Sequence, residues 1–572
     1  MRLALLILAL VIPALVLPAS SQDRDTAFRR LADRYFDEAY FPFNPTAGTS
    51  AGFHRYDGQL EDYSRAGVDR QAKALHAFLG EFERFSRTGL SADAASDYDL
   101  VVSNIRGTLL TLESIRPWEK NPDSYSSGVT ASIFAVISRS FAPPAERLRS
   151  VIARERLIPA VFADARRNLS NPPRIYTEIA LEQLPGIARF FRSDVPAPFT
   201  GVADAALKAS FGKSNAAVLD ALKDYEAWLR AGMLPQSRGD FRIGAGFYRQ
   251  KLLYDEMVDT PLERLLEIGY QDLRRNQEEF RRVAAEIDSR RSPQQILQEL
   301  ERDHPEPGQL LATFRGVLGG MRDFIERQHI VTIPSPVLPL VQETPPFMRA
   351  LTFASMDTPG AFETVAKEAF FNITLPESDW PRQRVEEHMA AFHRGTVVST
   401  AIHEAYPGHY VQFLWAQTLS SKVRRLLGAG SNVEGWAHYC EQMMLDAGYG
   451  GGDRMLRLGQ LQDALLRDAR YIVGISMHTG RMTFEQGVGF FVREGYQTRA
   501  NAERETKRGT GDPTYLVYTL GKLEILKLRD DYRRMKGPAF SLQDFHDRFM
   551  KQGFPPVRVA RKALLGDDSP AL

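Results

Sequence analysis

The chain has 572 residues, with 72 Lys and Arg against 71 Asp and Glu. A balance this even argues against a protein that binds nucleic acid or an anionic membrane through its charge. Hydrophobic residues make up 44% of the chain, and Cys440 is its single cysteine. A chain of this length buries a large enough core to fold without disulfides.

The N-terminal 21 residues predict a secretory signal peptide. Arg2 precedes a stretch, residues 3–17, that is apolar apart from Pro13, and the small residues 18–21 come next. A basic start, an apolar run and a small-residue cleavage site follow in the order of a signal peptide. The run is shorter than the roughly 20 residues that span a membrane. We therefore expect cleavage near Ser21 and a periplasmic or secreted protein, and an uncleaved N-terminal anchor is the alternative.

Helix signals dominate the rest of the chain. Thr260 stands three residues before Glu263, with Pro261 between them, which predicts a capping box and a helix that begins with proline. Ser292 and Gln295 repeat the signal. Apolar residues recur at helical spacing in six further segments. These segments are 62–88, 95–115, 144–168, 214–232, 382–402 and 453–475.

A proline-rich stretch, residues 333–339, is the best candidate for a boundary between two regions. We expect an N-terminal helical region over residues 22–330 and a second region over residues 331–572. The two lobes are expected to pack as one unit. The predicted fold is therefore mainly α, with two helical lobes around a cleft.

Two short segments after this boundary have the composition of β-strands. Residues 351–356 and 370–375 are rich in β-branched and aromatic side chains, and Pro376 ends the second. They predict a small hairpin or sheet just before a histidine-rich region. Such a hairpin could offer its edge to an extended peptide, or it could be purely structural, and the pattern leaves both open.

The most informative motif is His-Glu-Ala-Tyr-Pro-Gly-His at residues 403–409. The common helical zinc motif places two histidines four residues apart, on one face. Here they are six apart, which is about 240° around a helix. One continuous helix could not bring both to the same ion. Pro407 and Gly408 predict a break in the helix that turns His409 back toward His403.

Carboxylates beside and beyond this motif complete a candidate metal site. Glu404 follows the first histidine directly, where it could act as general base on a metal-bound water. Glu434, on a second predicted helix, would be the third ligand. His438 and Glu441 fall on the same face of that helix, so His438 is a rival to the second histidine of the motif. Six of the eleven histidines lie between residues 388 and 478, which strengthens the prediction of a metal site.

Several segments together resemble one known family. They are residues 403–409 with Gln412, residues 434–437, 470–478, 513–521 and 545–547, and more weakly residues 118–119 and 157–159. The resemblance is to the bacterial domain-of-unknown-function family 885, and it covers nearly the whole mature chain. That family looks related to the gluzincin metallopeptidases, which include the thimet oligopeptidases and thermostable carboxypeptidases.

The resemblance implies a zinc ion and roles for four residues of the motifs. It implies His403, His409 and Glu434 as zinc ligands and Glu404 as catalytic base. Three positions depart from the family pattern. Tyr410 stands where the family often has a second histidine, and Gly474 stands where it usually has an aspartate four residues before His478. His438 occupies a position that is often apolar in the family, which favours His409 as the ligand.

Peptide hydrolysis also needs a group that stabilises the developing oxyanion. Tyr515 and Tyr518 are three residues apart on a helix expected after Pro513, and Tyr518 matches the family pattern. His478 is the other candidate.

The sequence thus predicts an exported zinc hydrolase. The favoured function is a metallopeptidase that cleaves peptides through a water activated by zinc and Glu404. One alternative is a zinc hydrolase of a non-peptide amide or ester, and another is an inactive helical protein that binds a ligand. A peptide is the expected partner, with no nucleic acid and no membrane.

Overall fold

We analysed a computed structural model, which describes residues 21–349 and 352–572. The predicted signal peptide lies outside these residues, except for Ser21, which begins the first helix. Within the described part of the chain, no helix is both long enough and apolar enough to cross a membrane.

Helices make up the described chain as far as residue 327. They are α1 (Ser21–Tyr35), α2 (Phe41–Phe43), α3 (Pro45–Ala51), α4 (Arg65–Phe85), α5 (Ala92–Leu109), α6 (Pro117–Lys120), α7 (Asp123–Ile137), α8 (Pro144–Glu155), α9 (Ile158–Asn168), α10 (Arg174–Arg189), α11 (Ala205–Trp228), α12 (Gly244–Glu256), α13 (Leu262–Ile287), α14 (Pro293–Leu300) and α15 (Leu310–Arg327). Several of them, including α1, α5, α10 and α11, continue into a π-helical turn.

Three short strands and the remaining helices follow. The strands are β1 (Leu340–Glu343), β2 (Ala354–Asp357) and β3 (Phe370–Ile373). The helices are α16 (Arg382–Ala390), α17 (Arg394–Glu404), α18 (His409–Ala416), α19 (Lys422–Leu426), α20 (Gly430–Asp446), α21 (Arg454–His478), α22 (Phe484–Arg493), α23 (Arg499–Gly511), α24 (Val517–Lys536), α25 (Leu542–Met550) and α26 (Val557–Leu565). The predicted mainly α fold with a small sheet is confirmed.

The predicted helix starts have mixed outcomes. Ser292 caps α14 through a complete capping box with Gln295, as expected. Thr260 does not cap α13, because that helix begins after Pro261 and has no side-chain cap. Two of the predicted continuous helices are each divided in two. The first divides before Pro159, which lies in the first turn of α9, and the second divides at His393, whose side chain caps α17.

The sheet has the strand order β1-β3-β2. The two expected strands are present as the antiparallel pair β2 and β3, with Ala354 opposite Ile373, but both are shorter than predicted. Strand β1 runs parallel to β3, with Leu340 opposite Phe370, and the sequence pattern did not reveal it. Strand β2 is therefore an edge strand, and it packs against α17.

The buried apolar side chains of the described residues form four clusters. One joins α15, the sheet, α17, α18, α20 and α24 to α26, and a second joins α12 to α14 with α21 to α24. The third lies within α7 to α11, and the fourth joins α1, α4 and α5 to α19. Helices on both sides of residue 331 share the first two clusters. The domain division at that residue stays a prediction.

Pairs of glycines allow the central helices to cross at close range. A Cβ on Gly435 of α20 would lie 2.4 Å from the Cα of Gly521 on α24. A Cβ on Gly395 of α17 would lie 2.9 Å from the Cα of Gly459 on α21. Real Cβ contacts are longer than this, so these crossings require glycine. They hold α17, α20, α21 and α24 together as the scaffold of the site described below.

We predict that Gly521→Ala lowers the melting temperature, because its new Cβ would lie 1.7 Å from the backbone oxygen of Ser431. Overpacking of this kind costs about 1–3 kcal/mol. Gly319→Ala is the matched control, since nothing lies within 4 Å of its Cβ and alanine favours a helix. The melting temperatures of both variants, measured by calorimetry, test this close crossing of α20 and α24. Equal melting temperatures would contradict it.

Candidate metal site

The helix that carries the first histidine of the motif ends immediately after it. Helix α17 ends at Glu404 and α18 begins at His409, and the Tyr406–Pro407 peptide between them is cis. The amide of Gly408 donates to the carbonyl of Ile402 over 3.0 Å. A Cβ on Gly408 would lie 1.8 Å from the carbonyl oxygen of His403, so a larger residue does not fit. The expected break in the helix is thus present at Pro407 and Gly408.

This turn brings the two imidazoles together. The rings of His403 and His409 lie 4.8 Å apart between centroids and are nearly perpendicular. Glu434, from the first turns of α20, lies against both: its Oε2 is 3.4 Å from Nε2 of His403 and 3.4 Å from Nε2 of His409. The ligand atoms of the three residues all lie within 4.8 Å of one another.

The spacing of these atoms fits a tetrahedral zinc ion. Zinc binds histidine nitrogen and carboxylate oxygen at about 2.0–2.2 Å, which places neighbouring ligand atoms in a tetrahedron about 3.4 Å apart. The buried Oε2 of Glu434 has no hydrogen-bond partner among the described residues. A buried oxygen without a donor is costly, and a cation between the three side chains would satisfy it. These residues could therefore hold a divalent metal through three ligands.

A buried carboxylate fixes the orientation of the first histidine. Oε1 of Glu441 lies 2.7 Å from Nδ1 of His403, and Arg467 donates to the same carboxylate over 2.8 Å. Nδ1 of His438 is 3.1 Å from the other oxygen of Glu441. An Nδ1–H that donates to Glu441 leaves Nε2 of His403 with its lone pair toward the cluster, which is how carboxylates support histidine ligands. Nδ1 of His409 has no such partner in the described chain.

Charges within the cluster shift the pKa values of its members. Burial lowers the pKa of His403, but the carboxylates of Glu434 and Glu441 outweigh it and raise that pKa to about 9. Burial raises the pKa of Glu434, but the two histidines hold it well below its ordinary value. For His438, burial dominates and lowers the pKa to about 3, so this ring is neutral. A cation that bound here would take the place of the proton on His403.

Two further predicted residues lie beside the cluster. Glu404 is buried at the end of α17, next to His403, and its carboxylate has no hydrogen bond or ion pair within the described residues. The ring of Tyr518 stacks on that of His403 with centroids 6.3 Å apart. The hydroxyl of Tyr518 accepts a hydrogen bond from Arg508 over 3.0 Å. Tyr515 precedes α24 and is not on its face, contrary to expectation.

His478 is not part of this cluster. Its Nε2 lies 2.8 Å from the carbonyl oxygen of Gly509, and its ring packs against Phe241 and Tyr248. Burial lowers its pKa to about 4. On α21, Arg467 contacts the site, and His478 lies eleven residues later, about 16 Å further along the helix. The structure thus uses His478 to pack α21, and the role predicted for it has no geometric support.

The rival ligand is likewise placed elsewhere, and two contributors were missed. His438 contacts Glu441 and does not belong to the group of three ligand atoms. The sequence placed Glu441 on the correct face but did not reveal its bond to His403, and Arg467 gave no signal. The contact of Arg467 with the site can be recognised only when the packing of α21 against α17 is known.

Residues 45–564 match the family described as "Bacterial protein of unknown function (DUF885)". This chain belongs to the DUF885 family. No curated protein matches it.

Two solved structures resemble it over nearly their whole length. One is a "putative lipoprotein of unknown function" from Shewanella oneidensis, 28% identical, with a TM-score of 0.77 over 96% of this chain and 100% of the other. The second is described as a "putative lipoprotein" from Colwellia psychrerythraea. It is 17% identical, with a TM-score of 0.79 over 95% of this chain and 98% of that one, and it shows a shared fold only.

We predict that His409→Ala removes most of the zinc that copurifies with the protein, whereas His438→Ala retains it. The reason is that, of these two histidines, only His409 has a ring nitrogen close to Glu434. Metal content per chain, measured by mass spectrometry, checks this. Loss of zinc from His438→Ala alone would reverse the ligand assignment.

We predict that Glu441→Gln weakens zinc binding about 10- to 100-fold, which is the usual effect of removing the carboxylate behind a ligand histidine. Competition with a chelator at fixed pH measures the affinity. Glu387→Gln, an exposed carboxylate on α16, is the control for charge. An unchanged affinity in folded Glu441→Gln protein would contradict the role of this residue.

Proposed function

We propose that this protein is an exported zinc-dependent metallopeptidase whose zinc is held by His403, His409 and Glu434. The observation that carries the proposal is the convergence of two Nε2 atoms on one carboxylate oxygen at 3.4 Å. Glu404, the residue after His403, is buried with a carboxylate that has no partner within the described residues, so it could add the base that a hydrolytic site needs.

Glu404 is the residue that moves protons in this proposal. Zinc, when bound, polarises a carbonyl and lowers the pKa of water at its open position. Because the Glu404 carboxylate has no partner in the described structure, it is free to accept a proton from the attacking water. It then returns that proton to the amine that leaves, and a base with this double use typically contributes 10²–10⁴-fold in rate.

Tyr518 is the group best placed to stabilise the oxyanion. Burial raises the pKa of its hydroxyl, so the hydroxyl keeps its proton at neutral pH. The hydroxyl oxygen accepts from Arg508, which leaves the Tyr518 proton for an acceptor on the substrate. A donor directed at the developing negative charge lowers the barrier to its formation.

The sheet provides a surface for an extended peptide. Strand β2 is an edge of the sheet and packs on α17, the helix that carries His403 and Glu404. An edge strand has backbone groups without a neighbouring strand, and peptides commonly bind by adding a strand there. This favours a peptide over a small ester as the substrate.

The proposal also covers the compartment of the protein and its relationship to the gluzincin peptidases. The similar protein from Shewanella oneidensis is described as a "putative lipoprotein", which fits export of this chain through the signal peptide expected in residues 1–21. The histidine motif with a carboxylate ligand on a later helix, α20, supports kinship with the gluzincin peptidases.

We predict that zinc-loaded protein cleaves peptides from a mixed library and that Glu404→Gln slows cleavage at least about 100-fold while zinc is retained. Mass spectrometry of the digest measures cleavage, and metal analysis with circular dichroism verifies that the variant is loaded and folded. Glu387→Gln serves again as the control for charge.

The alternatives give different results in the same assay. Hydrolysis of model esters or acylated amines without any peptide cleavage would replace the peptidase with another zinc hydrolase. Absence of zinc, or undiminished turnover by Glu404→Gln, would defeat the mechanism.

A further inference from the structure

Arg508 of α23 lies beside Tyr518, and Arg504 lies one turn earlier on the same helix. Neither guanidinium makes a hydrogen bond to a carboxylate within the described residues. Arg504 and Arg508 are four residues apart and so share one face of the helix. Arg508 donates to the Tyr518 hydroxyl, and its nearest carboxylate oxygen, on Asp512, is 3.8 Å away. Arg504 donates to the neutral amide of Asn501 and has no ion pair within the described residues.

The other arginines around the same tyrosine are already neutralised. Arg467 is paired with Glu441 over 2.8 Å. Arg470 is buried and makes two hydrogen bonds of 2.6 and 2.9 Å to Glu505 of α23. That buried pair ties α23 to α21 and so fixes the helix that carries Arg504 and Arg508 relative to the metal cluster. Arg467 and Arg470 thus each pair closely with a buried carboxylate, whereas Arg508 has only the carboxylate of Asp512 at 3.8 Å.

Arg504 and Arg508 are both accessible to a ligand. The side chain of Arg508 is 34% exposed and Arg504 is exposed, whereas the side chain of Arg470 is only 10% exposed. A guanidinium offers several N–H donors in one plane, which suits the two oxygens of a carboxylate. Apart from Asp512 at 3.8 Å from Arg508, no carboxylate forms an ion pair with either group within the described residues, so most of their donors remain available.

The ring of Tyr518 contacts both the metal cluster and Arg508. The ring of Tyr518 lies 6.3 Å from the His403 ring on one side and 5.8 Å from the Arg508 guanidinium. An extended peptide advances roughly 3.3–3.6 Å per residue. The end of a peptide that extends one or two residues beyond a carbonyl at the metal would therefore reach these arginines.

We propose that Arg508 and Arg504 bind the C-terminal carboxylate of the substrate, so that the enzyme removes one or two residues from the carboxyl end of peptides. This rests on the proposed peptidase function. The arginines would repel a free amino terminus, which excludes the opposite direction of binding. An acidic side chain near the scissile bond also carries a carboxylate, so the experiment must distinguish a side-chain carboxylate from the C-terminal one.

The binding experiment uses zinc-loaded Glu404→Gln, which retains the site without turnover. Three N-acetylated peptides of one sequence are compared by calorimetry: the free acid, the C-terminal amide, and the amide with glutamate as its last residue. We expect the free acid to bind at least about tenfold more tightly than both amides. Equal affinity for acid and amide would overturn the proposal, and a glutamate amide as tight as the acid would assign the arginines to side chains instead.

Arginine variants locate the effect, because a zinc ion itself attracts carboxylates. Arg508→Gln in the same background should remove most of the preference for the free acid, and Arg504→Gln should reduce it. Arg499→Gln is the matched control, since Arg499 lies on α23 but is exposed and paired with Glu503. A preference that survives Arg508→Gln in folded protein would place the carboxylate elsewhere.

Wild-type digestion separates this inference from the proposed function. Stepwise shortening of the free-acid peptide from its C-terminus, with the amide cleaved at least about tenfold more slowly, supports it. Internal cleavage of both peptides at equal rates would overturn the inference and leave the peptidase intact. If zinc-loaded protein cleaved no peptide at all, the peptidase would fail, while the binding comparison would still decide whether the arginines hold a carboxylate.

Discussion

The close contact between Gly408 and the carbonyl of His403 is the constraint on which the site depends. Without a side chain at residue 408, the backbone turns within a few residues and returns the second imidazole to the first. The same turn also contacts the third ligand's helix, because Nε1 of Trp436 donates to the carbonyl of Pro407 over 2.9 Å. One turn thus sets both the histidine pair and the position of α20.

Behind the ligands, the charge of Glu441 is held entirely inside the protein. A buried carboxylate is tolerated only if its oxygens are satisfied, and here His403, His438 and Arg467 satisfy them from three helices. Loss of any one of these partners would leave the buried Glu441 carboxylate incompletely satisfied, so the network resists rearrangement. The cluster in front of it therefore has a rigid support, which suits a site whose geometry must be held within fractions of an ångström.

Local rules in the sequence were sufficient for some features and failed for others. The break at Pro407 follows from backbone chemistry alone, and so the approach of His403 and His409 could be predicted. Thr260 and Ser292 satisfy the same capping pattern, yet only Ser292 forms the cap, because α13 begins one residue later than the pattern predicts, after Pro261. Strand β1 is short and becomes a strand only by pairing with β3, thirty residues later. Such long-range contacts have no local signature.

The glycine crossing of α20 and α24 links the proposed metal ligands to the side of the cluster that carries Tyr518. Glu434 directly precedes Gly435, and Tyr518 lies one turn before Gly521, so the crossing sets the distance from the third ligand to the hydroxyl. The guanidinium of Arg508 comes from α23, a helix that supplies none of the three ligand atoms. Substitutions on α23 can therefore alter what is bound beside the metal cluster without altering the cluster. Under the proposed function, substrate preference and metal geometry would therefore be physically separable in this fold.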